Sequence, residues 1–167
     1  MPELAEWLQH GRYLALAVMI VLGNVGLPFP DEMVLIVAGY LIREGHLALG
    51  PTAAVSLVSI LVGDNLGYWL GRLGGRPIMR RGARRARIST ARLDRLQWLV
   101  SRYGVFAIVA ARFVAGFRML AGPLAGAVGM RPVTFMAANL VAAVLFVPYA
   151  LALGYTVGRA VDRPISD

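Results

Sequence analysis

The sequence predicts an all-α integral membrane protein made of two inverted repeats, each a re-entrant broken-helix hairpin followed by a transmembrane helix. Three observations predict it. The 167-residue chain is 58% hydrophobic, with a mean hydropathy of +0.65, too apolar for an ordinary soluble domain. Two stretches, 47–69 and 133–157, hold a single charged residue between them, Asp64, and each exceeds the roughly 20 helical residues that cross a hydrocarbon core. Finally, Leu66-Gly67-Tyr68-Trp69-Leu70-Gly71-Arg72 recurs 87 residues later as Leu153-Gly154-Tyr155-Thr156-Val157-Gly158-Arg159, and Ala38-Gly39 returns at the same offset as Ala125-Gly126. A shared offset is what duplication produces and what independent helix-end preferences would not.

Repeat one covers 13–72. Its apolar run at 13–42 cannot form one straight helix, because Gly23, Gly26, Pro28 and Pro30 interrupt it and Asp31 and Glu32 follow at once. Proline removes a helical donor and clashes with the preceding turn. The arms at 13–23 and 31–42 would each be about 17 Å long at 1.5 Å per residue. Neither spans, so a hairpin that enters and leaves on one side fits better than a kinked crossing. Repeat two, 104–159, has the same plan: an apolar arm through Ala111, a break around 112–118, a Gly/Ala-rich arm, then a span.

Between them lies a basic connector, 73–103. All 17 basic residues are arginine, and ten lie between Arg72 and Arg102 against one acid, Asp94. Nothing that stacks on bases or reads a groove accompanies this charge, so nucleic acid is not an expected partner. A cytoplasmic loop obeying the positive-inside rule explains it. Within it, 89–103 is predicted as an amphipathic surface helix using Leu93, Leu96, Trp98 and Leu99. With both hairpins re-entrant, the connector face and Arg131 carry 11 arginines against Asp94, and the opposite face carries Arg12, Arg43, Arg159 and Arg163 against Glu3, Glu6, Glu44, Asp162 and Asp167. That places the connector inside and both termini outside. Four full crossings with both termini inside stay open as the alternative.

The absence of cysteine excludes disulfide and thiol chemistry. His10 and His46 are too isolated for a histidine metal site, although a carboxylate-bound ion stays open. No cofactor is called for. No signal peptide is expected, since Glu3 and Glu6 stand where a basic leader would begin.

Five charged groups fall at membrane depth: Asp31, Glu32, Asp64, Arg112 and Arg118. A charge at the bilayer centre costs about 2.5–3.5 kcal/mol on insertion scales, so such groups pair or face water. If the hairpin tips meet, Glu32 approaches Arg112 and Arg118. Guanidinium grips phosphate through paired hydrogen bonds, and Glu32, Asp64 or Asp31 is a candidate to carry a proton in each cycle. These are the parts of a proton-coupled carrier for an anionic headgroup; the plain alternative is an ion pair that only holds the hairpins together. Tyr68 and Tyr155 are candidate headgroup donors or else interfacial anchors. Asn24 and Asn139 are candidates to line a cavity or to bond between helices.

Gly23-Asn24-Val25-Gly26-Leu27-Pro28-Phe29-Pro30-Asp31-Glu32, with Ala38-Gly39, resembles the first motif of the DedA family (SNARE-associated, or VTT, domain), Glu-Asn-x-Gly-Leu-Pro-x-Pro-Gly-Glu followed by Ala-Gly. Gly63-Asp64, Gly67-Tyr68, Gly71-Arg72 and Gly75 resemble its second motif, and Tyr103-Gly104, Ala111-Arg112-Phe113, Arg118 and Ala125-Gly126 its third. The resemblance covers roughly residues 13–160. It implies facing re-entrant hairpins, a multi-pass bacterial inner membrane location, and transport of lipids such as undecaprenyl phosphate or phosphatidylethanolamine, linked to proton motive force and envelope integrity. It assigns the functional acid to Glu32 and the functional arginines to Arg112 and Arg118. Gly23 replaces the family's first glutamate, Asp31 the glycine before Glu32, and Ala115 a frequent proline. An enzyme is not expected, because a lipid phosphatase needs a histidine nucleophile among charged partners and a phosphotransferase an aspartate cluster. A non-transporting assembly factor and association into homo-oligomers stay open.

Overall fold

Helix breakers divide the chain into seven helices among the described residues, which in this computed structural model are 2–25, 31–85, 89–114 and 118–161. The Gly/Pro segment 26–30, Ala115 and the terminal Asp162, Arg163 and Asp167 lie outside them, as do the side chains of Glu3, Glu6, His10, Asp31 and Arg159. In order the helices are α1 (Pro2–Asn24), α2 (Asp31–Arg43), α3 (Leu49–Arg85), α4 (Thr90–Tyr103), α5 (Val105–Arg112), α6 (Arg118–Ala127) and α7 (Pro132–Val161).

Each predicted broken segment is a pair of helices, α1 with α2 and α5 with α6. Helix α1 starts well before the predicted arm because Pro2 sits at the first position, where its missing N–H is no loss. Its apolar part, Gly11–Asn24, is shorter than the two helices with the length and composition to cross a membrane, Leu49–Gly75 and Pro132–Gly158. Beyond the first of these, Gly75 kinks α3 (φ 53°, ψ −154°) before the basic arm, which arginine extends as helix. The second arms end alike: Gly45 and Gly129, at φ 74° and 75°, carry the 6→1 and 5→2 hydrogen bonds of a Schellman turn.

The predicted surface helix is α4. Ser89 caps it, its hydroxyl accepting from the Arg92 N–H at 3.4 Å. Leu93 and Val100, two turns apart on one face, are buried in the protein, while Trp98, well round the helix from both, is 58% exposed.

Packing follows the repeat. Helix α2 packs on α7 as α6 packs on α3; α1 packs on α3 as α5 packs on α7; and the arms of each pair touch, α1 with α2 and α5 with α6. Every one of these contacts maps onto its counterpart when the halves are exchanged. Between apolar helices in lipid there is little hydrophobic drive, so close backbone approach through small residues supplies the attraction. Gly39 lies against the Leu151 carbonyl and Gly154 against that of Ile36; Gly126 lies against the Tyr68 carbonyl and Gly71 against that of Pro123. A Cβ at any of the four would overlap backbone.

The two contacts are not in the same register. An 87-residue step carries Ile36 onto Pro123 but Gly154 onto Gly67, whereas Pro123 meets Gly71 (71 − 67 = 4). Likewise Leu151 maps onto Asp64, whereas Gly126 meets Tyr68. Helix α6 therefore sits one turn, about 6 Å, further along α3 than α2 sits along α7.

Two apolar cores result. One gathers Tyr68, Ile108, Leu124 and Phe135; the other gathers Ile20, Leu35, Ile60 and Phe146. Helices α3 and α7 serve both, and each crosses from one core to the other within a few residues.

Candidate functional site

The seam between the cores is where the polar residues sit. On α3 it falls between Ile60 and Tyr68, at Asp64; on α7 it falls between Ala138 and Ala143, at Asn139. Helix α5 ends there with Arg112 and α6 begins there with Arg118. The break of the second helix pair thus delivers two guanidinium groups to the middle of two apolar helices.

Arg112 Nη1–H donates to Asp64 Oδ2 at 2.5 Å and to Asn139 Oδ1 at 2.8 Å. Both members of the ion pair are buried, at 6% and 5% side-chain exposure. Arg118 Nη2 lies 3.7 Å from Glu32 Oε2, with Arg118 at 7% and Glu32 at 41%. Glu32 is therefore the member of the cluster that opens outward. Phe146, 2% exposed, forms the platform beneath both cations, its ring centroid 5.7 Å from the Arg112 guanidinium carbon and 5.2 Å from that of Arg118. Phe113 packs edgewise against it at 6.0 Å, and Tyr149 lies tilted beside it at 6.4 Å.

Arg112 Nε and Nη2 and Asn139 Nδ2 have no hydrogen-bond partner among the described residues. Buried donors without acceptors are costly. Beside a second buried arginine, they are donors of the kind an oxyanion accepts from.

The pairing differs from the expectation built on Glu32 alone: Glu32 takes Arg118, and Asp64 takes Arg112. Asn24 lies at the end of α1, its amide donating to the Ile20 carbonyl at 2.8 Å, and its Cβ packs against Gly63 beside Asp64. The two tyrosines stand outside the cluster. Tyr155 is 41% exposed. Tyr68 is buried and stacked on Phe135 at 4.7 Å, with its hydroxyl donating to the Met130 carbonyl at 2.5 Å and accepting from Arg72 Nη1 at 2.7 Å. Those contacts tie α3 to the turn before α7. Tyr68→Phe is expected to lower stability by about 1 kcal/mol, read as a drop in thermal midpoint in detergent, and to leave the Arg112–Asp64 cluster intact. Phe146 was not visible as a candidate, because its sequence neighbourhood is that of any apolar residue in a span.

The model of the VTT domain matches residues 29–156. The chain belongs to the VTT (DedA) family. It is 35% identical over 161 residues to an uncharacterized membrane protein of Synechocystis sp., covering 96% of this chain and 72% of that one. It is 29% identical to the uncharacterized membrane protein YbfM of Bacillus subtilis, covering 87% of this chain and 90% of the relative. It is 27% identical to the inner membrane protein YabI of Escherichia coli, covering 93% and 63% respectively. No solved structure matches it. Family and helices together make the chain an integral membrane protein of bacterial type.

Proposed function

We propose that this VTT domain protein carries lipid phosphate headgroups between leaflets, with undecaprenyl phosphate and phospholipids as the candidate substrates and the proton motive force as the drive. The observation that carries the reading is two buried arginines on one aromatic platform at the seam, with Arg112 donors left over. A phosphate monoester or diester offers the acceptors those donors lack. Glu32, half-buried and beside Arg118, is the group a phosphate would displace and the one placed to take up a proton.

The exchange-symmetric packing supports two inverted repeats with the site at their interface, and the arginine-rich connector supports a cytoplasmic side for it. Alternating access needs two inequivalent halves. The one-turn difference between the α2–α7 and α6–α3 contacts is such an inequality, and reversing it would open the cluster to the opposite face. In this reading the chain is a carrier and not an enzyme. One contact favours a purely structural role instead, the buried Arg112–Asp64 pair.

Arg118→Gln and Glu32→Gln separate the two, because Glu32 is 41% exposed and glutamine keeps a polar side chain at either position. In proteoliposomes both variants are expected to remain folded and to lose leaflet exchange of labelled undecaprenyl phosphate or phosphatidylethanolamine by an order of magnitude or more; a pH gradient accelerates the parent and not Glu32→Gln. Parental exchange rates in both variants, or no exchange by the parent, would remove the proposal.

A further inference from the structure

The charged seam explains where a headgroup would sit but leaves the hydrocarbon of the lipid without a place. Two apolar grooves supply one. The first, about 670 Å³, runs between the arms α1 and α2. The second, about 380 Å³, runs between α5 and α6 and is bordered by α4. Their linings correspond at the offset of the repeat: Leu16 with Tyr103, Met19 with Phe106, Val34 with Ala121, and Val37 with Leu124, each pair 87 residues apart and each member lining its own groove. A furrow formed by accidental packing would not recur at matched positions.

Each groove also ends beside the charged seam. Met33, in the first, follows Glu32; Ala111 and Val114, in the second, bracket Arg112 and Phe113. The polar character along the first groove is confined to its far end, at Arg12 and His46. A molecule complementary to this arrangement is anionic at one end and a hydrocarbon chain along its length.

We infer that the two grooves are matched acyl- or isoprenyl-chain sites, in which the tail of the carried lipid lies while its phosphate occupies the Arg112–Arg118 cluster. The inference rests on the transport reading and deepens it. With the repeats inverted, the grooves face opposite leaflets, so one tail site serves the lipid before the headgroup crosses and the other after it.

The test is photolabelling in proteoliposomes with a phosphatidylglycerol carrying a diazirine at mid-chain, followed by peptide mapping. Labelling at Met19, Val37, Phe106 and Val114 is expected to exceed by several-fold that at Val141, Val144 and Leu145, which are exposed on α7 and line neither groove. A diacylglycerol with the same diazirine and no phosphate is expected to lose the excess. Val37→Trp and Ala110→Trp fill the grooves from exposed positions, so the fold is spared; the first is expected to suppress labelling at Met19 and the second at Phe106. Even labelling of the grooves and the α7 face, or an excess that survives removal of the phosphate, overturns the inference. The labelling readout does not need transport. Selective labelling in a protein that exchanges no lipid would leave the grooves standing and sink the carrier reading.

Discussion

Arg112→Leu is expected to destabilise the protein by about 3–5 kcal/mol, because it takes the guanidinium away from a buried carboxylate. Asp64 is 5% exposed and sits where the two cores meet. Removing its cation also takes away one partner of Asn139. The measurement is the folded fraction against temperature or denaturant in detergent. Asp64→Leu alone is expected to cost a similar amount by stranding the guanidinium. The double variant Arg112→Leu with Asp64→Leu is expected to recover most of the loss, since an apolar pair of similar volume fills the seam without desolvated charge. Exchange of phosphate lipids should not return with stability, because the Arg112 donors are gone. A double variant that both folds and transports at the parental rate would mean that Arg112 is only a strut.

The glycine contacts make the second large prediction. Gly71→Ala or Gly154→Ala places a methyl group onto the backbone carbonyl of Pro123 or Ile36. Backbone cannot yield as a side chain can, so α6 must lift from α3, or α2 from α7, at a cost of about 1–3 kcal/mol for each overpacked contact. The two together are expected to abolish the monodisperse folded peak on size-exclusion chromatography. Gly50→Ala is the control: no neighbour stands within 4 Å of its Cβ position, and helix propensity favours alanine. Equal melting of Gly71→Ala and Gly50→Ala would show that the close approach is not what holds these helices.

Much of the fold was legible because its causes are local. Proline and glycine between Gly23 and Pro30 interrupt an apolar run in a way that no packing can repair, and a break falls there; the second break falls between Arg112 and Arg118, whose charges mark it in an otherwise apolar run. The extent of α4 was legible too, but not which face packs into the protein, where Leu93 and Val100 are buried. The site was legible as a set of costly charges and not as a set of pairs. Glu32, Asp64, Arg112 and Arg118 all announce themselves by the price of burying them. Which acid meets which arginine does not follow from that.

By itself, then, the sequence determined a helical membrane protein with a doubled plan and charges at its breaks, because hydropathy, helix breaking and an 87-residue repeat act on neighbours along the chain. Only the tertiary structure decided that Arg112 reaches Asp64 across 48 residues, that Phe146 lies beneath both cations, and that the Tyr68 hydroxyl serves Met130. The physical reason is the sliding of one helix along another. A shift of a single turn, the very difference between the α2–α7 and α6–α3 contacts, exchanges one partner for the next, and close packing of glycine against backbone sets that shift where no local preference reaches.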